Sequence, residues 1–126
     1  MTLYINTTAH EEILLSLSDG EKVLVSKKIK ALRQQSEKLL PSIEKLLLSK
    51  KIKLTSLKKI VVANFGGSFT SLRIGVITAN ALAYALNIPV EAESKIKKNK
   101  TFSKYSLVEP IYDREPNIGI SKKPKL

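Results

Sequence analysis

Two short polar turns contain the residues of this chain whose types could hold a phosphate group. One turn follows the first strand-like run and contains Thr7 and Thr8, and the other precedes a helical segment and contains Gly66, Gly67, Ser68 and Thr70. Free backbone N–H groups at a helix N-terminus, together with glycines and hydroxyls, suit an anion. The simpler interpretation is a glycine turn in which Ser68 or Thr70 caps the helix. The turn at residues 66–70 is not a Walker loop, because the spaced glycine and the Lys-Ser/Thr pair are missing.

Groups for catalysis or metal binding are sparse. Asn6 stands at the turn where a phosphotransferase of this strand order needs an acid, and an amide can act neither as a general base nor as a carboxylate ligand. The chain has no cysteine, and its single histidine, His10, cannot build a metal cluster alone. The sequence therefore predicts a protein that is not an enzyme and has no metal site and no cofactor.

The elements that must position these turns follow the order β-β-β-α-β-α-β. Apolar alternation marks the first strands, Asp19-Gly20 predicts a hairpin turn, and Ser36 is the expected N-cap of the first helix. The predicted elements are strands at 3–8, 11–18 and 22–30, a helix at 35–50, a strand at 58–65, a helix from 68 or 69 to 87, and a strand at 88–93. This order predicts an α/β domain with a five-stranded mixed sheet covered by two helices.

The second predicted helix is apolar on nearly all sides. One side carries Leu72, Gly75, Val76, Ala79, Leu82, Ala83 and Leu86, and the opposite side carries Ile74, Ile77, Ala81, Tyr84 and Ala85. One sheet buries one helix face, so the other face must pack on the first helix or on another protein. The small residues Gly75, Ala79 and Ala83 predict close approach of another backbone. A leftover apolar face is a candidate interface.

The charge of the chain favours anionic partners. It has 22 Lys and Arg against 11 Asp and Glu, a formal net charge of +11, which suits RNA or an acidic protein surface. The predicted division is a domain at residues 1–94 and a Lys-rich tail at 95–126, with a docked segment around residues 107–112. Without a leader-like start or an apolar stretch of about 18 residues, we expect a cytoplasmic protein with no membrane contact.

Several segments resemble the TsaB (YeaZ) family. Residues 67–75, Gly-Ser-Phe-Thr-Ser-Leu-Arg-Ile-Gly, are similar to the end of its Gly-Pro-Gly-Ser-Phe-Thr-Gly-Leu-Arg-Ile-Gly motif. Residues 35–43 are similar to its His-Ser-Glu-x-Leu-Leu-Pro-x-Ile, and residues 3–8 to its opening Ile-Asp-Thr-Ser strand. Residues 81–90 continue the match, and residues 108–114 resemble its Pro-x-Tyr-x-Arg ending. The resemblance covers about residues 3–93 and 107–116.

The resemblance implies half of an ASKHA (actin, Hsp70 and sugar-kinase-like, ribonuclease-H-like) fold. It also implies a non-catalytic scaffold subunit that pairs with a TsaD-like protein. In the family, this pair and a TsaE-like ATPase transfer threonylcarbamoyl from its adenylate to the adenosine beside the anticodon of certain tRNAs. The partner, or a second copy in a homodimer, would meet the two helices at Ser36, Leu40, Ile43, Leu47, Arg73, Val76, Ala79, Asn80 and Ala83. A charged residue at Ala79 or Ala83 would then break the complex and leave a folded monomer.

The chain departs from the family pattern at several positions. Gln35 replaces its His, Asn6 its Asp and Ser71 a Gly, and a Lys-rich stretch stands where the family has a second domain. The alternative function is therefore a basic RNA-binding accessory protein. Its tRNA contacts would be Lys95, Lys97, Lys98 and Lys100, and their binding would depend strongly on salt. A small sugar-kinase-like enzyme is disfavoured, because the acid and the second domain are missing.

Overall fold

Five strands and two helices make up the described part of the chain, which is residues 1–9, 11–93 and 108–109 of a computed structural model. In chain order they are β1 (Thr2–Asn6), β2 (Glu12–Asp19), β3 (Lys22–Lys30), α1 (Gln35–Ser49), β4 (Lys59–Val62), α2 (Phe69–Leu86) and β5 (Val90–Ala92), with a short 3₁₀ helix, Leu54–Ser56, before β4. The order β-β-β-α-β-α-β predicted from the sequence is confirmed. The predicted β4 and β5 are longer than the observed ones.

The strands form one mixed sheet in the order β3-β2-β1-β4-β5. β1 pairs antiparallel with β2, while β4 pairs parallel with both β1 and β5. Gly20, with a φ of 67°, makes the tight turn between β2 and β3, as the Asp19-Gly20 pair predicts. Because β1, β4 and β5 are parallel, the turns that follow β1 and β4 lie at one edge of the sheet, which we call the carboxyl edge. The loop that precedes β4 lies at the opposite, amino edge.

Alternation along the strands places the core on one face of the sheet. Ile5 of β1 lies opposite Leu15 of β2 and Val62 of β4, and all three are fully buried. Both helices contribute to the same core, α1 with Leu39, Ile43, Leu46 and Leu47 and α2 with Leu72, Val76, Ala79 and Ala83. The domain therefore has two layers, a sheet with both helices on one face.

The helix ends follow different physical rules. Ser68 caps α2, since its Oγ accepts a hydrogen bond of 3.0 Å from the N–H of Ser71, and Asn87 ends the helix with a left-handed φ of 58°. The N-cap of α1 is Gln34, without a side-chain hydrogen bond. The prediction that Ser36 caps α1 is thus wrong, because Ser36 lies one residue inside the helix. Pro41 also lies inside α1.

Helix α2 is long and apolar enough to cross a membrane. Its 18 residues have a mean hydropathy of 1.3, so the expectation that no apolar stretch reaches this length is corrected. The core helix of a soluble domain meets the same criterion, and α2 packs on the sheet through six buried residues, namely Ser71, Leu72, Gly75, Val76, Ala79 and Ala83. The length and composition of this helix are accordingly weak evidence for a membrane span.

Candidate functional site

The two polar turns singled out in the sequence touch each other at the carboxyl edge. Gly67 has a φ of 76°, and a Cβ on it would overlap the backbone of Thr8. Neighbouring Gly66 also has a positive φ, 95°, but a Cβ there would meet nothing within 4 Å. Only Gly67 is therefore required for close approach of the two turns. The structure brings the predicted phosphate-loop residues together, but as a packed contact between two backbone segments.

Thr7 ties this contact to helix α2. Its side chain is fully buried, and its Oγ1 donates a hydrogen bond of 2.5 Å to the carbonyl of Ser71 and accepts one of 3.1 Å from the N–H of Gly75. These two backbone groups are four residues apart and belong to one helical turn. A Cβ at Gly75 would lie 2.5 Å from that same Oγ1, which explains the glycine inside a helix. The hydroxyl of Thr7 is therefore fully engaged within the protein.

Thr8 and Ser68 also use polar atoms within the chain. Thr8 donates to Asn6 Oδ1 through its N–H at 2.8 Å and its Oγ1 at 2.7 Å. The Ser68 hydroxyl serves as the helix cap described above. These bonds favour the glycine-turn interpretation over a phosphate cradle. Anion binding by Thr7, Thr8, Gly66, Gly67, Ser68 and Thr70 stays a prediction.

Gln35 holds the β1–β2 connection from the side of α1. Its buried Nε2 lies 3.2 Å from the carbonyl oxygen of Thr7, 2.8 Å from that of Ala9 and 2.9 Å from that of Glu12. The two hydrogens of this amide nitrogen are thus shared among three carbonyls of a turn that has little regular structure of its own. The sequence shows Gln35 only as a departure from the family's histidine; the contact itself joins residues 23 to 28 positions apart.

Asn6 belongs to a hydrogen-bonded chain on the sheet face opposite the helices. Its Nδ2 donates to the Tyr4 hydroxyl at 3.1 Å, and that hydroxyl donates to Glu93 Oε1 at 2.8 Å. Burial, then the hydrogen bond and the charge of Glu93, raise the pKa of Tyr4 to about 12, against a smaller lowering by Asn6. An aspartate in place of Asn6 would have no N–H for this hydroxyl and would add a second carboxylate. The network favours an amide at position 6.

We expect Tyr4 to ionise well above the ordinary pKa of a tyrosine. The fold favours its neutral form, so between pH 10 and about 12 the unfolded chain loses this proton first and the stability contributed by Tyr4 falls as pH rises. A titration of tyrosinate absorbance should contain a component near pH 12 that Tyr4→Phe removes. If the variant loses absorbance near pH 10 instead, the contact with Glu93 does not exist in solution.

The predicted interface residues divide into an exposed and a buried group. Ser36, Leu40 and Arg73 are exposed, whereas Ile43, Leu47, Val76, Ala79 and Ala83 lie in the core. A charged side chain at Ala79 or Ala83 would enter that core, so neither substitution would leave the folded monomer expected from the sequence. The small-residue track of Gly75, Ala79 and Ala83 faces this chain's own sheet. The interface as such stays a prediction.

The exposed apolar residues of α2 lie on its other side. Ile77 is 60% exposed and Tyr84 is 71% exposed, and with Ala81 they occupy positions i, i+4 and i+7 of the helix. We call these three residues the α2 stripe. Arg73 continues it by one turn and lies over the ring of Phe69, 5.0 Å from its centroid. The helical wheel identified this second apolar side, but the predicted interface included no residue of the stripe.

Two asparagines hold the segment at residues 108–109 against the domain. Asn80 donates through Nδ2 to the carbonyl of Val108 and accepts from its N–H, both at 2.9 Å. Asn64 Nδ2 donates to the carbonyl of Glu109 at 3.0 Å, and Val108 itself is buried against the core. Of the docked segment predicted around residues 107–112, the structure describes only these two residues, and the segment as a whole stays a prediction. Asn80, expected at a partner interface, makes these bonds within the chain.

Other predicted site residues lie outside the part of the chain that the structure describes. They are His10 and the tail lysines Lys95, Lys97, Lys98 and Lys100. Among the described residues, no three His, Cys, Asp or Glu side chains are grouped so that they could hold a metal ion. The division into residues 1–94 and 95–126 stays a prediction.

Comparisons with known proteins find relatives named for tRNA threonylcarbamoyladenosine biosynthesis by two routes. The family model TsaD, described as tRNA N6-adenosine threonylcarbamoyltransferase, matches residues 26–98. The tRNA threonylcarbamoyladenosine biosynthesis protein TsaB of Bacillus subtilis (strain 168) is 30% identical over 115 residues, which are 90% of this chain and 50% of that protein. TsaB of Buchnera aphidicola subsp. Schizaphis graminum is 32% identical over 101 residues, 79% of this chain and 48% of that protein. The chain spans about half the length of these relatives.

Solved structures show the same fold. YeaZ from Pseudomonas aeruginosa matches with a TM-score of 0.66 and 28% identity, over 74% of this chain and 42% of that one. A crystal structure of an uncharacterized protein with similarity to peptidase YeaZ from Pseudomonas aeruginosa matches with a TM-score of 0.68, at the same identity and coverage. The α/β architecture with a five-stranded mixed sheet and two helices is thus the ASKHA-like fold, as expected.

Proposed function

Because this chain belongs to the TsaB family, whose named members take part in tRNA threonylcarbamoyladenosine biosynthesis, we propose that it is a non-catalytic scaffold subunit that binds a TsaD-like protein. The observation that carries the proposal is the α2 stripe. A helix that already fills the core with one side exposes a second apolar side, and such a side suits a protein interface.

The polar turns support the non-catalytic part of the proposal. Thr7 Oγ1, Thr8 Oγ1 and the Ser68 hydroxyl each bond within the chain, and an amide occupies position 6. Position 6, where a base for phosphoryl transfer would be needed, therefore carries no carboxylate, and Glu11 of the same turn is exposed. The proposed task is to bind and stabilise the catalytic partner in the cytoplasm, with a TsaE-like ATPase and tRNA reaching this chain through the complex. A homodimer through the same helices competes with that pairing.

Substituting one residue of the α2 stripe should weaken pairing without unfolding the chain. Ile77→Glu places a charge on an exposed apolar position, and we expect affinity for the TsaD-like protein of the same organism to fall at least about tenfold, since a buried unpaired charge costs several kcal/mol. The measurement is co-expression followed by size-exclusion chromatography and by titration at micromolar concentration.

A matched control is Val23→Glu, because Val23 is 61% exposed against 60% for Ile77 but lies on the edge strand β3. It should leave pairing within about twofold of the unchanged chain, as surface substitutions away from an interface do. If both variants bind the partner equally well, the interface does not include the α2 stripe. Separate elution of the unchanged chain and its partner would reject the proposal itself.

The second candidate, an RNA-binding accessory protein, is favoured by the net charge of +11. Deleting the tail would not test it cleanly, because deletion also removes Val108 and its bonds to Asn80. Replacing Lys95, Lys97, Lys98 and Lys100 by glutamine keeps that docked segment. Loss of tRNA binding by this variant, with pairing to the TsaD-like protein intact, would separate the two roles.

A further inference from the structure

A lysine-rich loop lies at the amino edge of the sheet, opposite the two polar turns. Residues 50–59, between α1 and β4, have the sequence Lys-Lys-Ile-Lys-Leu-Thr-Ser-Leu-Lys-Lys, with five lysines and no acid. We call residues 50–58 the lysine loop; its four lysines, Lys50, Lys51, Lys53 and Lys58, are all exposed. Its place at this edge follows from the hydrogen bond of 2.8 Å that the N–H of Lys58 donates to the carbonyl of Met1.

The lysine loop has a fixed conformation. Leu57 is buried in the core and Ile52 packs against it, so the loop is attached at two points. Its backbone turns are closed by hydrogen bonds from the N–H of Ile52 to Leu47, 2.9 Å, and from the N–H of Ser56 to Lys53, 2.9 Å. Lys51 takes a left-handed φ of 56°. The lysines are therefore presented on a rigid frame, and a ligand that binds them would not have to order the backbone.

The charges of the lysine loop are not compensated within the described residues. Lys59, just beyond the loop, forms the one ion pair recorded there, with Glu91 at 3.5 Å. None of Lys50, Lys51, Lys53 and Lys58 has an acidic partner within 4.0 Å in the described part of the chain. Asp19 and Glu21 lie at the same edge, in the β2–β3 turn. Four ammonium groups within nine residues thus give a local positive potential.

Stabilisation of α1 explains only part of this pattern. Lys50 is the C-cap of α1, and Lys51 follows it, where positive charges favour the carboxyl end of a helix by about 0.3–1 kcal/mol. Lys53 and Lys58 lie beyond the last turn, and the effect falls off within that turn. Phosphate groups spaced along a nucleic-acid backbone suit several exposed lysines carried by one short loop. The loop contains no aromatic side chain for base stacking, so such contacts would be independent of sequence.

We propose that the lysine loop is a binding site for the phosphate backbone of RNA, separate from the tail. The choice of RNA among polyanions rests on the proposed function in tRNA modification, whereas the site itself rests on the loop. Lys50, Lys53 and Lys58 each contact phosphates and position a tRNA without reading its bases. Because this surface lies at the amino edge, bound RNA would leave the carboxyl edge free.

The test is binding of a fluorescein-labelled, unmodified tRNA transcript to the full chain alone, by anisotropy at 50 to 250 mM KCl. Replacing Lys50, Lys53 and Lys58 together by glutamine should weaken binding at least about tenfold at low salt. It should also reduce the slope of log K against log salt by about 2 to 3, since each phosphate contact contributes about 0.7 to 0.9. Arginine at the same three positions should retain both affinity and slope.

The matched control replaces Lys27, Lys28 and Lys30 of β3 by glutamine, three exposed lysines away from the amino edge with the same change in net charge. It should change affinity by less than about threefold. An equal loss of tRNA affinity in both triple variants would show that only net charge matters. That result would overturn the proposed site. Loss of binding only when Lys95, Lys97, Lys98 and Lys100 are replaced would assign RNA to the tail and also overturn it.

The same variants separate this site from the proposed scaffold role. If the triple glutamine variant keeps tRNA affinity and loses the TsaD-like protein in co-purification, the loop is a protein contact and the inference fails while the scaffold role stands. If it binds vesicles of anionic phospholipid less well but tRNA equally, the ligand is a membrane surface and the inference also fails. Failure of the unchanged chain to pair would reject the scaffold role without affecting the tRNA result.

Discussion

Gly67→Ala should destabilise the domain by about 3–5 kcal/mol, the sum of a left-handed conformation and a backbone clash. The added Cβ meets the carbonyl oxygen, carbonyl carbon and Cα of Thr8, the last two at 2.6 and 2.8 Å. No side-chain rotation relieves such an overlap, because all three atoms belong to the backbone. A domain has a total stability of about 5–15 kcal/mol, so this loss would raise the unfolded fraction strongly.

Gly66→Ala is the control for this experiment. Gly66 also has a positive φ, but its Cβ would point into open space, so we expect the conformational cost alone, about 1–2 kcal/mol. The free energy of unfolding in urea measures both variants. Equal midpoints for Gly66→Ala and Gly67→Ala would show that the two turns are not in contact in solution.

Gly75→Ala should destabilise the protein although alanine is the better helix former. In an open helix the change gains about 1 kcal/mol. Here the new Cβ would lie 2.5 Å from Thr7 Oγ1 and 3.3 Å from its Cγ2 inside a closely packed core. Moving Thr7 away breaks its bonds to Ser71 and Gly75. We therefore expect a net loss of about 1–3 kcal/mol, the usual cost of overpacking.

A double-mutant cycle with Thr7→Ala isolates the cause. Thr7→Ala removes both atoms that the new Cβ would strike, so in that background Gly75→Ala should stabilise by up to about 1 kcal/mol. The expected coupling energy is about 1–4 kcal/mol, measured from urea midpoints of the four proteins. Additive effects would mean that the Thr7 side chain does not lie against this turn of α2.

The strands and helices of this domain were predictable because their signals are local. Leu3 and Ile5 alternate with polar neighbours, Asp19-Gly20 specifies a hairpin, and Asn87 ends α2 where the sequence predicts. Each signal depends on residues within a few positions of one another. The fold class followed from their order.

The orientation of α2 was not predictable, because both of its sides are apolar and composition alone cannot choose between them. The side with Gly75, Ala79 and Ala83 faces the sheet, since small residues let the helix axis approach the strands closely. The larger side chains Ile77 and Tyr84 therefore remain outside. The partner interface implied by the resemblance consequently included core residues of α2.

The contacts at the carboxyl edge depend on residues far apart in the chain. Thr7 bonds to Ser71 and Gly75 across 64 and 68 positions, and Gln35 reaches back to the carbonyl of Thr7 across 28. No local sequence pattern at Thr7 or Gln35 predicts these distant partners. The sequence identified both turns as candidate phosphate-binding residues. It did not predict that their backbones pack directly against each other.

The attachment of Val108 to Asn80 has a consequence for modularity. Residues 93 and 108 are both fixed to the domain, the first by the hydrogen bond from the N–H of Glu93 to Val62 and the second by the Asn80 amide. Between two fixed ends, each doubling of chain length adds only about 0.6 kcal/mol of closure entropy. A chain segment of another length between these two anchors should therefore leave the sheet and both helices intact.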